Sequence, residues 1–195
     1  MMDRLVTGGE GHTAISEDDL LALIPTDIAT RADLIDAEQR NNSEALLRRP
    51  PTVARLLDDS YLRDLHRAMF GEVWRWAGRY RTRDTNIGIA FPQIATAVRE
   101  LVADVAYWIE HDTFAPDEIA IRFHHRLVQI HPFANGNGRH GRFATDYLMR
   151  ALGHEQFSWG AGLDVATTDL RARYVSALRR ADDGDLASLL AFARS

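Results

Sequence analysis

The chain has 195 residues, 46% of them hydrophobic, and a formal net charge of −5, which suits one domain with a conventional core and disfavours generic nucleic-acid binding. It has no cysteine, and all 23 basic residues are arginine, which excludes disulfides, thiolate metal sites, a Walker or kinase-type lysine and Schiff-base chemistry. With no apolar run of signal-peptide type and none long enough to span a membrane, a soluble cytoplasmic protein is expected.

Residues 1–14 are polar and Gly-rich and read as a flexible arm. Ser16 and Asp19 form a capping-box pattern before a short helix that stops near Pro25. Thr30 and Asp33 repeat the pattern ahead of a second helix carrying Leu34, Ile35 and Glu38, ended by Pro50 and Pro51. Glu38 lies one turn after Leu34, beside the apolar stripe, an odd position for a solvated acid. Thr52 caps a short helix through Leu56, and Ser60 is expected to cap the next, which Gly71 stops. Trp74 and Trp76 read as core.

Residues 80–91 change period. Ile87, Ile89 and Phe91 alternate with Gly88 and Ala90 after a turn at Asp84, Thr85 and Asn86, which predicts one β-hairpin. Helical spacing returns at 93–110, where His111 and Asp112 read as a helix end. Pro116 starts the next helix, with Ile119, Phe123, Leu127 and Ile130 on its buried face. His124, His125, His131 and His140 lack metal-site spacing and neighbouring carboxylates, so no protein metal cage is expected from them. Further helices are expected over 139–152, through Leu170 and Leu178, and after Asp185.

Between the two central helices stands HPFANGNGRHGR, residues 131–142. Gly136, Asn137 and Gly138 can turn the chain tightly and aim successive N–H groups into one concavity. The helix that follows adds its positive end, a place suited to phosphate. Arg139 and Arg142, three apart, can pair phosphate oxygens. His131, just before the loop, can accept a proton near neutral pH. A phosphate cradle beside a general base points to phosphoryl or nucleotidyl transfer to a hydroxyl.

This stretch resembles the Fic signature HxFx(D/E)GNGRxxR, with Asn135 in place of the acid. The resemblance implies an all-α Fic fold: a helical bundle with one short β-hairpin flap. It implies transfer of AMP from ATP to a Tyr, Thr or Ser hydroxyl of a target protein. His131 would be the catalytic base, Phe133 would hold the loop, and Gly136, Asn137, Gly138, Arg139 and Arg142 would bind the phosphates. Flap residues Thr85, Asn86, Ile87, Gly88 and Ile89 would hold the target by strand addition. Mg2+ or Mn2+ would sit at Asn135, whose carbonyl oxygen lacks the charge a hard cation prefers. Glu38 aligns with the glutamate of an inhibitory helix that pairs with the second motif arginine. Residues 15–50 would then be N-terminal, inhibitory helices, and 51–195 the Fic core. The runs LIPTDIATRADL and NIGIAFPQI are similar to a Fic subfamily called mobile mystery protein B, whose usual neighbour is a helix-turn-helix protein, a toxin–antitoxin-like pairing. Two alternatives stay open: a nucleotide-binding interaction module weakened by Asn135, and a Fic transferase using another phosphate-containing donor.

Overall fold

A computed structural model describes residues 17–195; the arm at 1–14 and Ser16 lie outside the described residues. The helices are α1 (Glu17–Leu20), α2 (Arg31–Leu46), α3 (Val53–Leu56), α4 (Asp59–Phe70), α5 (Ile94–Glu110), α6 (Pro116–Ile130), α7 (Asn137–Ala151), α8 (Thr167–Asp182) and α9 (Leu186–Arg194), with a 3-10 turn at Phe91–Gln93 before α5. The capping box at α2 is present: the Thr30 side chain accepts the Asp33 N–H, and the Asp33 carboxylate accepts the Thr30 N–H. At α4 the cap differs from expectation. Asp58, not Ser60, is the N-cap, and its carboxylate accepts the Ser60 N–H. An ionised acceptor two residues earlier outcompetes the hydroxyl.

The core gathers around α4, α6 and α7. Phe70, Trp74, Phe123, Leu127, Ile130, Phe133, Tyr147 and Leu148 are all essentially inaccessible. The stripe Ile119, Phe123, Leu127 and Ile130 is buried as its 3.6-residue period requires. α6 and α7 run antiparallel: Val128 faces Gly141, and four residues back along α6, His124 faces Thr145, four residues on along α7. A Cβ at Gly141 would lie 2.9 Å from a Val128 methyl, so the missing side chain sets how closely the helices approach. The pair forms a rigid clamp around the connection that carries His131.

Among the described residues no strand forms; the single bridge pairs Leu23 with Trp74. The expected hairpin at 80–91 is an irregular loop. Part of the expected alternation survives: Ile87 and Ile89 are half-buried while Gly88 and Ala90 are exposed, but Phe91, expected on the inward face, is exposed. The ladder is missing because side chains take the backbone groups. The buried Arg81 guanidinium donates to the Arg83 and Ile89 carbonyls. Asp84 accepts the Phe91 N–H at 2.9 Å, and the Thr85 hydroxyl donates to the Ile87 carbonyl at 2.6 Å. Arg83 pairs with Asp19 of α1, tying the loop to the N-terminal helices.

Candidate active site

His131 is the last residue before the motif loop, at the C-terminal end of α6. It holds a left-handed backbone, φ 54° and ψ 60°, which costs a non-glycine residue about 1 kcal/mol or more. Three contacts hold it there. The His131 carbonyl accepts Arg81 Nε at 2.8 Å, the next carbonyl, Pro132, accepts the Arg81 N–H at 2.9 Å, and Gly88 presses on the side chain. A Cβ at Gly88, itself at φ +104°, would fall 2.5 Å from His131 Cβ. The imidazole is 5% exposed. Burial, with the Arg81 charge beside it, pushes its pKa down to about 4. At neutral pH it is therefore the neutral, proton-accepting form.

Phe133 is fully buried and stacks on His66 with centroids 3.7 Å apart. His66 has a defined tautomer. Its Nδ1 accepts the Gly78 N–H at 3.0 Å, so Nε2 carries the proton and donates to the Asn135 carbonyl at 3.0 Å. Burial, reinforced by the neighbouring His140 and Arg139, keeps its pKa well below the usual imidazole value. Asn137 turns its amide inward, where Oδ1 accepts the Phe133 N–H at 2.9 Å and Nδ2 donates to the Phe133 carbonyl at 2.8 Å. Its contribution to an anion site is thus its backbone N–H; its side chain staples the loop. Gly136 is the N-cap of α7 at φ 79° with no side-chain cap, and a Cβ there would meet the Phe70 ring at 2.5 Å. The first backbone bond of the helix runs from the His140 N–H to the Gly136 carbonyl. The N–H groups of Asn137, Gly138 and Arg139 precede it and point out of the helix end.

These groups open on one cavity of about 1410 Å3, which His131, Asn135, Gly136, Asn137, Gly138, Arg139 and Arg142 all line. The loop contributes Asn86, Ile87, Gly88 and Ile89; Thr85 does not reach it. Arg142 lies over the Tyr174 ring, 5.2 Å from its centroid, and Arg139 over Phe70 at 4.7 Å. Tyr174 is buried, its hydroxyl 3.0 Å from His124 Nε2, and burial raises its pKa to about 12. His124 is a satisfied core histidine, with its pKa lowered by burial to about 3. His140, whose Nε2 bonds the Leu62 carbonyl at 2.9 Å, is equally structural.

Glu38 lies in the same cavity, 5% exposed. One carboxylate oxygen accepts the Trp74 indole N–H at 2.7 Å; the other pairs with Arg139 at 2.7 Å. The resemblance led to the second motif arginine, Arg142; the contact is with the first. The one-turn offset follows from the Trp74 bond, which anchors the carboxylate on the Phe70 side of the cavity.

The donor set does not fit a protein-held Mg2+. The Asn135 side-chain oxygen, the expected ligand, is neutral and accepts the Gly136 N–H at 2.6 Å. Among the described residues no group of three or more His, Asp or Glu is placed to hold a metal ion.

Sequence reasoning missed Arg81, His66, Arg31 and Arg171. Arg81 and His66 act through backbone atoms far away in sequence, and Arg31 and Arg171 reach the cavity from helices outside the motif. No spacing rule marks such residues.

Comparison with known proteins agrees with this geometry. Residues 56–149 match the Fic/DOC family model. Over 127 residues, 63% of the chain, the sequence is 31% identical to the protein adenylyltransferase fic-1 of Caenorhabditis elegans. It is 28% identical over 133 residues to the protein adenylyltransferase Fic of Drosophila melanogaster. The chain spans about a quarter of the length of these relatives, 24% and 26%. Among solved structures, the N-terminal Fic domain of a VirB-translocated Bep effector from Bartonella quintana, with bound ADP, superposes with TM-score 0.67 at 18% identity, covering 87% of this chain and 86% of that one. BepC from Bartonella tribocorum, with bound AMPPNP, gives TM-score 0.67 at 18% identity over 99% and 95%. Residues 56–149 thus match the Fic/DOC family model, and the chain shares the fold of solved Fic domains.

Proposed function

We propose that the protein is an adenylyltransferase that moves AMP from ATP to a Tyr, Thr or Ser hydroxyl of a target protein. The observation that carries this reading is one cavity shared by a neutral, buried His131, an uncapped α7 N-terminus and two arginines. His131 takes the proton of the hydroxyl as its oxygen attacks the α-phosphorus. The bond to the β-phosphate oxygen breaks, pyrophosphate leaves, and AMP stays as a phosphodiester on the target. The N–H groups of Asn137, Gly138 and Arg139, with the Arg139 and Arg142 guanidiniums, stabilise the charge that develops on the phosphates. The loop at 85–89 lies against His131 and is the surface for the target segment; its irregular backbone still offers N–H and C=O groups to an extended peptide. Mg2+ or Mn2+ would enter as a counter-ion of the nucleotide. Residues 15–50 act as the regulatory part through Glu38, and 51–195 as the catalytic core.

The mobile mystery protein B-like runs and Asn135 support a place in that subfamily and a cytoplasmic helix-turn-helix partner of antitoxin type. Asn135 and the Glu38–Arg139 pair also favour a second reading, a nucleotide-binding module that acts through partner binding.

Intact-protein mass after incubation with ATP and Mg2+ or Mn2+ tests the proposal on three chains: the parent, Glu38→Gly, and Glu38→Gly with His131→Ala. The expected result is a gain of one AMP in Glu38→Gly that disappears with His131. An equal gain without His131 would overturn the mechanism. No gain in any of them, with ATP binding retained by calorimetry and no labelling of lysate proteins, would favour the binding module.

A further inference from the structure

The motif loop can offer N–H groups to the cavity because its carbonyls are taken up on the inner side. The His131 carbonyl accepts Arg81 Nε, the Pro132 carbonyl accepts the Arg81 N–H, and the Phe133 carbonyl accepts Asn137 Nδ2. The Asn135 carbonyl accepts Nε2–H of His66 at 3.0 Å. This last carbonyl belongs to the peptide that joins Asn135 to Gly136, directly before the N–H groups at the start of α7. Gly136 is the residue that would let this peptide turn over, since glycine takes either sign of φ at little cost. Turned over, the peptide would aim a carbonyl oxygen, with its negative partial charge, into the cavity that Asn135 and Gly136 line.

His66 is held so as to prevent that. Its ring is fully buried on α4, stacked on Phe133 at 3.7 Å between centroids and packed against Phe70 at 4.8 Å. Nδ1 accepts the Gly78 N–H at 3.0 Å, which leaves the ring neutral with its one proton on Nε2. Gly78 is itself seated on the same helix. At φ +76°, a Cβ there would lie 2.8 Å from both the Arg63 carbonyl oxygen and Arg67 Cβ. Thus α4 supplies the imidazole and also the seat of the N–H that fixes its tautomer. His66 does not line the cavity, so it acts through the loop. We propose that His66 is a positioning residue for the polyphosphate: its Nε2–H keeps the Asn135 carbonyl in the core, so that the loop meets the phosphates through its N–H groups. The inference rests on the nucleotide reading above.

Two amides separate the two ring nitrogens. In His66→Gln the side-chain NH2 takes the place of Nε2, keeps a donor for the Asn135 carbonyl and leaves the Gly78 N–H bare. In His66→Asn the side-chain oxygen takes the place of Nδ1, keeps an acceptor for Gly78 and leaves the Asn135 carbonyl bare. Each loses one buried hydrogen bond and the Phe133 stack, so both should melt below the parent by similar amounts. ATP affinity is measured by calorimetry on the full chain carrying Glu38→Gln, which releases Arg139, with His66 intact and with each substitution. The expected Kd of His66→Gln is within about threefold of the intact chain, and that of His66→Asn about tenfold weaker, the scale of one hydrogen bond. Equal losses in the two, or a larger loss in His66→Gln, would make His66 a packing residue only and overturn the inference, leaving the nucleotide reading standing. Should either variant fail to fold, NMR of nitrogen-labelled histidine in the Glu38→Gln chain decides. The His66 Nε2 proton should stay protected from exchange when ATP is added. Loss of that protection on ATP binding means that the peptide turns over, and overturns the inference. No ATP binding with His66 intact overturns the nucleotide reading as well.

Discussion

The Glu38 carboxylate sits 2.7 Å from the Arg139 guanidinium while its other oxygen holds the Trp74 indole N–H at the same distance. The buried acid is thus fixed from both sides, and one motif arginine is held with it. The first motif arginine is the one engaged, so on the proposed function the Glu38 carboxylate and a nucleotide phosphate would compete for the same fork. Trp74 matters here as the anchor, beyond the packing role its composition suggested.

That arrangement separates two substitutions. Glu38→Gln keeps an oxygen for Trp74 but removes the charge that holds Arg139; Glu38→Gly removes both. Each should raise AMP self-transfer by about tenfold or more, the scale of freeing one charge-assisted contact. Only the glycine variant should lose appreciable stability. It leaves the buried Trp74 N–H unsatisfied, about 1–3 kcal/mol, and places Gly inside a helix, about 1 kcal/mol more. Thermal melting and intact mass on the same samples check both halves. A glutamine variant no faster than the parent would remove Glu38 as a brake.

The buried histidines make a pH prediction with a definite sign. His131 titrates near 4 when folded against an ordinary 6.5, and His140 and His124 near 4 and 3. For rate, His131 is already a free base at neutral pH, so single-turnover transfer should stay flat from about pH 8 down to about 5.5. A half-drop near 6.5 would mean that the base is not this imidazole in this environment. For stability, the unfolded chain binds more protons than the folded one between the lowered and the ordinary values. Stability is therefore fully present above 6.5 and falls as pH drops towards 4, by up to about 1.4 kcal/mol per pH unit for each such histidine. Denaturant titrations at several pH values measure that slope.

Much of this was legible beforehand, and the reasons differ by element. The α6 stripe and the Thr30–Asp33 cap are local patterns that depend only on spacing, and both are present as read. The motif brought His131, Gly136, Gly138, Arg139 and Arg142 to one cavity because the loop and helix turn that hold them are also local. The 80–91 segment was misread as a hairpin for the opposite reason. Alternation fixes which side chains face inward, but hydrogen-bond partners are chosen in three dimensions, and there Arg81 outcompeted the ladder. Asn137 likewise has the right backbone position and a side-chain role that no spacing reveals.

Arg81 couples the loop to His131. Its side chain is 1% exposed and donates to the carbonyls of Arg83, Ile89 and His131. Arg81→Lys cannot reproduce that fork. It should lower transfer by more than tenfold while changing ATP affinity little, because Arg81 does not line the cavity. It should also cost a few kcal/mol through unsatisfied carbonyls. Calorimetry with ATP beside a single-turnover assay separates the two. Equal losses in affinity and rate would mean that Arg81 supports the whole site rather than the position of His131.

The two glycines that flank Asn137 should fail in opposite ways. At Gly136 a methyl group meets the Phe70 ring at 2.5 Å on a backbone at φ +79°. Gly136→Ala should therefore destabilise by about 1–3 kcal/mol through strain and overpacking, lowering the melting temperature before any ligand is added. At Gly138 the backbone is helical, and a Cβ would find only the Tyr174 hydroxyl region, 3.6 Å away. The fold has no use for a glycine there, and alanine should leave stability equal or up to about 1 kcal/mol higher. What the methyl group would obstruct is the approach of a phosphate to the N–H groups at the start of α7. Gly138→Ala should thus melt like the parent yet bind ATP about tenfold more weakly, as expected when one backbone-phosphate contact is lost. If it binds ATP as the parent does, the phosphates do not sit on that helix end, and the cradle must be placed on the arginines alone.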